Sequence, residues 1–207
     1  MLANGILPIL PKAKSLSVTR QAQFEVEPYL LARQSKRAMS GEPLTKDELN
    51  RLFEAARWSP SSFNHQPWRF VYALKGTPAW DTHFALLNQF NQFWCKDGGA
   101  LIVVCTKTVD EQGNPNRCAV LDAGGASLSI ALQASAMGLV FHALAGIEFE
   151  AVNGAVKVPD NHEVCCMMVV GRPGDVSNLP EFLQAREVPS GRNTIDTFAF
   201  EGEFSSK

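Results

Sequence analysis

The chain has 207 residues, of which 45% are hydrophobic and 19% are charged, and its formal net charge is −2. This length and composition fit one globular domain with a full hydrophobic core. The slightly acidic balance argues against a surface that binds nucleic acid. No apolar run approaches the ~20 residues that a membrane-spanning helix requires, so we expect no membrane association.

The five cysteines indicate neither a disulfide framework nor a zinc site, because their number is odd and no C-x-x-C spacing occurs. Cys105, Cys165 and Cys166 lie in apolar runs, where buried thiols pack as small hydrophobic groups. The adjacent pair could also be redox-active. Unpaired thiols favour a reducing compartment, and we therefore expect a cytoplasmic protein.

The first predicted elements are helical. Residues 1–22 show no periodicity and are interpreted as an irregular N-terminal extension, and residues 23–207 as a single domain. Apolar spacing predicts a short helix over residues 24–33, which ends in a basic cluster. A second helix is predicted over residues 45–57, where Thr45 and a glutamate three residues later form a capping box.

Strands and further helices alternate along the rest of the chain. A helix is predicted over residues 77–94 from a Thr-Pro start and an apolar face. Another is predicted over residues 122–137, capped by Asp122 and ended by Gly138. Residues 108–117 read as a surface loop. Four apolar segments predict strands, namely residues 69–74, 100–105, 139–144 and 164–170.

The interleaved helices and strands predict an α+β or α/β fold with one mixed sheet. The helix at residues 122–137 has no charged residue after Asp122, so we expect it to be buried on all sides, either at the centre of the domain or at a subunit interface. Alternating aromatic residues over 197–204 also favour contact with a partner subunit.

A polar loop at residues 59–68 joins the capped helix to the first strand. It contains two prolines, three serines and an asparagine, which are residues that favour tight turns. Such a loop between two rigid elements is either an ordinary turn or a place where a ligand is held.

The remaining chemistry points to an anion site. The chain contains no nucleophile elbow, no H-E-x-x-H, no phosphate-binding P-loop and no G-x-G-x-x-G fingerprint, and its histidines lack metal-ligand spacing. Arg33, Ser35 and Arg37 lie together at a helix end, and Arg192 follows a glycine near the C-terminus. Arginine binds phosphate through paired hydrogen bonds. The alternative interpretation of the cluster is a solvated basic helix end.

Several of these segments together resemble the nitroreductase family of FMN-dependent oxidoreductases, over about residues 24–204. The segments that carry the resemblance are, in chain order, Arg33-x-Ser35, Leu44-Thr45-x-x-Glu48-Leu49, Ala55-Ala56, Pro60-Ser61-Ser62-x-Asn64-x-Gln66-Pro67-Trp68, Asn91-x-x-Trp94, Asp122-x-Gly124, Leu132-x-Ala134, Gly138-Leu139-x-x-His142-x-x-Ala145-Gly146, Gly171-x-Pro173-Gly174, Gly191-Arg192 and Phe200-x-Gly202.

The resemblance implies an α+β fold with a mixed central sheet flanked by helices, and a domain-swapped homodimer with two FMN sites at its interface. From one subunit it implies cofactor contacts by Arg33, Ser35 and Arg37, with Gln34 among them, and it further implies contacts by Asn91 (with Asn88 as the competing residue), Ala145, Gly146 and Arg192. From the other subunit it implies contacts by Pro60, Ser61, Ser62 and Asn64.

The resemblance also implies a function. NADH or NADPH would reduce the flavin, and the flavin would pass a hydride from N5 to a nitroaromatic, a quinone or an activated alkene. No side chain is expected to act as a catalytic group or as a metal ligand. Two alternatives stay open: a relative dedicated to dehydrogenation or dehalogenation of one metabolite, and a flavin-binding protein without catalytic activity.

Overall fold

A computed structural model describes residues 20–204 of the chain. Residues 1–19 of the expected N-terminal extension and residues 205–207 lie outside the described residues. The described strands are β1 (Trp68–Leu74), β2 (Ala100–Lys107), β3 (Val140–Leu144) and β4 (His162–Gly171). The described α-helices are α1 (Pro28–Ala32), α2 (Lys46–Arg57), α3 (Pro78–Ala85), α4 (Gln89–Cys95), α5 (Ala119–Ala136), α6 (Phe149–Ala155) and α7 (Glu181–Gln184).

The four strands form one sheet in the order β1-β2-β4-β3, and all neighbouring strands run antiparallel. Strands β1 and β3 are therefore the two edges. The only parallel pairing in the described part of the sheet is one bridge, in which Ser35 lies beside Phe141 of β3. This bridge places the basic segment that follows α1 against the β3 edge.

Strand β2 separates two hydrophobic cores. Leu101, Val103 and Cys105 pack on one face together with residues of α3, α4, α6 and α7. Ile102 and Val104 pack on the other face, which α2 and α5 cover. Burial on both faces explains why this strand reads as a continuous apolar run. The fold is thus a sheet with helices on both sides, as the sequence predicts.

The capping box at the start of α2 is confirmed. The Thr45 hydroxyl accepts a hydrogen bond from the Glu48 amide at 3.2 Å, and the Glu48 carboxylate accepts one from the Thr45 amide at 2.9 Å. The same carboxylate accepts a hydrogen bond from Arg172 at 2.9 Å, which links α2 to the end of β4. Gly138 follows α5 at a φ of 72°, as expected for a helix stop.

The predicted helix over residues 77–94 is wrong, because the chain forms two helices there. Asn88 begins α4 as its N-cap, and its side chain accepts a hydrogen bond from the Asn91 amide at 2.9 Å. The short segment between the helices also pairs with the chain after β3, through a bridge between Leu87 and Ile147. Helix α6 is a further element that the sequence analysis did not predict.

The predicted start of α5 is also wrong. The helix begins at Ala119, and Asp122 lies within its first turn. The Asp122 carboxylate instead accepts a hydrogen bond from the Ser62 amide at 3.1 Å. It therefore fixes the polar loop before β1 rather than capping its own helix.

Helix α5 is not buried on all sides within one chain. Its inner face lies in the core, whereas Leu121 is 75% exposed and Leu128 is 50% exposed. Gly124 and Gly125 lie between them at helical spacing and are also exposed. We define these four residues as the α5 stripe. Of the two expected locations, an exposed apolar stripe favours an interface. None of the described helices is long and apolar enough to cross a membrane.

Replacing Thr45 with alanine should lower the free energy of unfolding by about 1 kcal/mol, because the Glu48 amide loses its acceptor. Urea unfolding followed by circular dichroism would measure the change. Thr82→Ala is the matched control, since Thr82 lies exposed within α3 and its hydroxyl makes only a 3.5 Å contact with the Pro78 carbonyl. Equal losses in the two variants would contradict the capping role.

Candidate functional site

Five arginines, including Arg37 and Arg186, line one cleft of about 340 Å³, and three of the five donate hydrogen bonds to serine hydroxyl groups. These three are Arg20, Arg33 at the end of α1, and Arg192. Arg33 donates a hydrogen bond to the Ser35 hydroxyl at 3.2 Å. Arg192 and Arg20 donate to the Ser190 hydroxyl at 2.9 and 3.3 Å. Arginine and serine side chains thus form one side of this cleft, which we call the arginine cleft.

The charges of these three arginines repel one another. Burial, together with the charges of Arg20 and Arg192, lowers the pKa of Arg33. Burial and the charge of Arg192 lower the pKa of Arg20. None of the ion pairs among residues 20–204 joins any of the three to a carboxylate. A cluster of this kind is stabilised by an anion that accepts hydrogen bonds from several guanidinium groups.

Arg37 lines the same cleft but already has an anionic partner. The Arg37 guanidinium lies 3.7 Å from the Glu187 carboxylate, whose side chain is only 4% exposed. The Arg37 amide donates to the same carboxylate at 3.0 Å, and the guanidinium lies 5.5 Å from the centre of the Trp94 ring. Gln34 lines the cleft beside it. The charge of Arg37 is thus offset by a carboxylate, unlike the charges of Arg20, Arg33 and Arg192.

The chain after β3 approaches α4 closely. The Gly146 carbonyl accepts hydrogen bonds from the Asn88 amide at 3.0 Å and from the Asn91 side chain at 2.9 Å. A Cβ atom at position 146 would lie 2.5 Å from the side-chain nitrogens of both asparagines. Only glycine fits here. Ala145, directly before it, is exposed. Both asparagines therefore hold the backbone at residues 145–146 in place.

The polar loop before β1 is rigid and strained. Phe63, Asn64 and Gln66 have φ values of 49°, 57° and 48°, which place three residues other than glycine in the left-handed region. Such backbone costs of order 1–3 kcal/mol per residue and clusters at functional sites. The Gln66 amide donates to the Ser61 hydroxyl at 2.9 Å, which stabilises the turn. The loop presents the Phe63 side chain, which is 93% exposed.

The loop and the arginine cleft lie far apart in one chain. The loop leads into β1, and Ser35 lies against β3, so three strand spacings of ~4.8 Å, or about 14 Å, separate the two edges. Along α5, the loop contacts Asp122, whereas Gln34 lines a second cleft of about 430 Å³ together with Ser135. Thirteen residues of helix span about 20 Å. The structure therefore does not bring the two groups of predicted site residues together within one chain.

The buried cysteines do not form a reactive site. Burial raises the pKa of Cys105 and of Cys166 to about 11. Burial and the neighbouring Cys166 raise the pKa of Cys165 to about 12. Thiol redox chemistry requires the thiolate, which these environments suppress. The adjacent cysteines are partly buried and pack against the hydrophobic core.

Arg20 and Glu187 are among the residues of the arginine cleft that the sequence analysis missed. Arg20 belongs to the segment interpreted as an irregular extension, and no local pattern connects it with Arg33. Glu187 lies in the polar C-terminal part of the chain, and its contact with Arg37 spans 150 residues. Such pairs arise only from the tertiary fold, so no spacing rule could have identified them.

Comparisons of the sequence and of the fold with known proteins indicate the same family. A sequence profile of the Nitroreductase family matches residues 30–172. The chain is 30% identical to an uncharacterised 15.4 kDa protein of Mycolicibacterium smegmatis over 122 residues, which cover 58% of this chain and 81% of that protein. It is 37% identical to the oxygen-insensitive NADPH nitroreductase of Helicobacter acinonychis over 62 residues, which cover 30% of this chain and only 29% of that enzyme.

Solved structures have the same fold. An oxidoreductase containing FMN superposes with a TM-score of 0.88 and 38% identity, over 92% of this chain and 98% of that one. A nitroreductase in complex with FMN from Desulfovibrio desulfuricans superposes with a TM-score of 0.66 and 21% identity, over 87% of this chain and 100% of that one. The described chain therefore has the nitroreductase-like fold.

The arginine cleft should make the protein less stable in acid through His142, which lines it. The ring lies 4.8 Å from that of Trp94, and Nδ1 lies 3.1 Å from the Lys36 carbonyl oxygen. Burial and the charge of Arg37 lower the pKa of His142 below its ordinary value of about 6.5, although Glu187 acts in the opposite direction. The unfolded chain then binds the extra proton first, so stability falls as the pH drops below about 6.5.

His142→Asn should remove part of this pH dependence while retaining an amide donor near the position of Nδ1. Urea unfolding at pH 7 and pH 5 would give the loss of unfolding free energy for each protein. We expect a smaller loss in the variant than in the wild type. His83, whose pKa burial also lowers, is present in both proteins and cancels in the comparison. Equal losses would contradict the assignment.

Proposed function

Because the chain belongs to the nitroreductase family, we propose that it is an FMN-dependent oxidoreductase that uses NADH or NADPH to reduce a nitroaromatic, a quinone or an activated alkene. The observation that carries the proposal is the arginine cleft. It contains four guanidinium groups, those of Arg20, Arg33, Arg186 and Arg192, that form none of the ion pairs among the described residues. A phosphate monoester dianion supplies the charge and the oxygens that such a cleft lacks.

The described residues that would bind FMN form two groups, one for the phosphate and one for the flavin ring. Arg33, Ser35 and Arg192 would hold the phosphate, with Gln34 and Arg37 on the same cleft. The redox chemistry would be that of bound FMN, namely hydride transfer at N5 in a ping-pong sequence. The chain itself binds and orients the cofactor. No nucleophilic side chain is needed, which agrees with the suppressed thiolates of the core.

The flavin ring would meet backbone rather than catalytic side chains. Asn91 and Asn88 fix the Gly146 carbonyl, and the missing Cβ at this position lets the chain pack closely. Ala145 is exposed, and we propose that its amide faces the ring. In this arrangement Asn91 acts on the ring by fixing residues 145–146, because its Nδ2 already donates to Gly146.

We further propose that the complete site needs two copies of the chain. The strained loop carrying Pro60, Ser61, Ser62 and Asn64 lies about 14 Å or more from the arginine cleft of its own chain. An antiparallel contact between the α5 stripes of two copies brings the loop end of one helix closer to the cleft end of the other than the two ends lie within one chain. The exposed apolar stripe supports this contact, since apolar stripes of this kind mark interfaces.

The choice of reductant rests on similarity. The Helicobacter acinonychis relative is an NADPH nitroreductase, although the alignment spans less than a third of its length. NADH remains equally compatible with the described residues. A dedicated dehydrogenase or dehalogenase would share the same flavin site, and a flavin-binding protein without activity would share it as well.

A turnover assay separates these functions. The purified protein, loaded with FMN, should oxidise NADH or NADPH steadily when nitrofurazone, menadione or an enone is added, at a rate well above that of the same concentration of free FMN. The boiled holoprotein is the control for released flavin. Stable flavin binding without turnover of any acceptor would favour the non-catalytic alternative.

Gly125→Lys tests the two-chain site. A Cβ at position 125 meets no atom within 4 Å, so the chain should fold normally, but a charged side chain then lies in the α5 stripe. We expect loss of the dimer in light scattering together with loss of bound FMN. Gly154→Lys in α6 is the matched control, because that helical glycine is also exposed with open space around it. A monomer of Gly125→Lys that retains FMN would contradict the two-chain site.

A further inference from the structure

We propose that Arg20 is a positioning residue of the phosphate site, which fixes the Arg33 and Arg192 guanidinium groups relative to each other and adds a third positive charge beside the phosphate. The inference rests on the proposed function and deepens it, because it assigns a role to the segment before the first helix. It arises from the hydrogen bonds of Arg20 and not from a sequence motif.

One guanidinium group joins both arginine-bearing segments. Nη1 of Arg20 donates to the Arg33 carbonyl at 2.7 Å and to the Leu31 carbonyl at 3.3 Å. These carbonyls lie at the C-terminal end of α1, where the last backbone carbonyl groups have no amide partner within the helix. Nη2 donates to the Ser190 hydroxyl at 3.3 Å, and that hydroxyl also accepts a hydrogen bond from Arg192 at 2.9 Å. Arg20 therefore fixes the backbone of Arg33 and the acceptor that orients Arg192.

Arg20 also has hydrogen-bonding capacity left over. Its Nε is buried and has no hydrogen-bond acceptor among the described residues. A buried donor without a partner is costly, and in a cationic cleft an anionic oxygen is its natural acceptor. The neighbouring positive charges of Arg33 and Arg192 also favour a bound anion, because the three cations repel one another.

The ligand group that satisfies these donors is a phosphate monoester dianion. FMN and riboflavin share the ring and the ribityl chain and differ only in that phosphate. If Arg20 acts on the phosphate, its removal should change the affinity for FMN and leave the affinity for riboflavin unchanged. If Arg20 merely stabilised the fold, both affinities would fall together. The ratio of the two dissociation constants therefore separates the two roles.

The experiment uses the full-length chain after removal of co-purified flavin, with fluorescence-quenching titrations of FMN and of riboflavin. For Arg20→Met we expect the Kd for FMN to rise at least tenfold and the Kd for riboflavin to change less than twofold. High salt should weaken FMN binding less in the variant than in the wild type, because one charge is missing. Arg20→Lys should recover only part of the loss, since lysine keeps the charge but not the planar fork that joins both segments.

A double-mutant cycle tests the positioning role. Because Arg20 acts partly through Arg192, the double variant with both arginines replaced by methionine should lose less FMN affinity than the product of the two single losses. Arg51→Met is the matched control for charge, since Arg51 is exposed on α2 outside the cleft. Its affinity for both flavins should stay within twofold of the wild type.

The outcomes distinguish this inference from the proposed function. A wild-type chain that binds no FMN would overturn the proposed function and this inference with it. A wild-type chain that binds FMN, with Arg20→Met equal to it for both flavins, would overturn the inference alone. Equal weakening of FMN and riboflavin in Arg20→Met would reduce Arg20 to a structural residue and would also overturn the inference.

Discussion

Electrostatic repulsion between the guanidinium groups of Arg20, Arg33 and Arg192 is the interaction on which the proposed phosphate site depends. The fold brings the three guanidinium groups to one cleft, partly buries them and gives them serine hydroxyls and backbone carbonyls instead of carboxylates. Desolvation and repulsion both disfavour this arrangement in the absence of an anion. A phosphate offsets both costs, so the cleft is organised for binding at the expense of its own stability.

The architecture divides the remaining site residues between the two edges of the sheet. The β3 edge carries the arginine cleft and the fixed backbone at Gly146, and the β1 edge carries the strained polar loop. Helix α5 connects the two edges and exposes an apolar stripe between them. In the proposed dimer, the loop of one chain would cover a flat cofactor held at the β3 edge of the other. Backbone strain at Phe63 and Asn64 is consistent with a loop whose shape is set for such a contact.

Local rules predicted the parts of the fold that local forces determine. The capping box at Thr45, the double-sided burial of β2 and the glycine stop at Gly138 all follow from neighbouring residues. The break at Asn88 was missed, because an apolar face continues through it and the bridge between Leu87 and Ile147 is a tertiary contact. Asp122 was wrongly predicted to cap α5. The local sequence does not distinguish an aspartate that caps its own helix from one that accepts a hydrogen bond from a distant segment.

Motif order was enough to name candidate site residues, but it could not predict how they are arranged in space. The basic segment and Arg192 were identified as an anion site, and the structure does place Arg33, Ser35 and Arg192 on one cleft. Arg20 and Glu187 were missed because their contacts cross 13 and 150 residues, respectively, and depend on the tertiary fold. Arg37 forms an ion pair with Glu187, whereas Arg20, Arg33 and Arg192 form no ion pair among the described residues. Composition alone does not distinguish these two groups of arginines.

The most direct test of the central claim is a crystal structure of the protein grown with FMN. The account predicts a phosphate within hydrogen-bonding distance of the Arg33 and Arg192 guanidinium groups of one chain, and an isoalloxazine ring covered by residues 60–64 of a second chain. A flavin phosphate bound away from these arginines, or a complete flavin site built from a single chain, would contradict it.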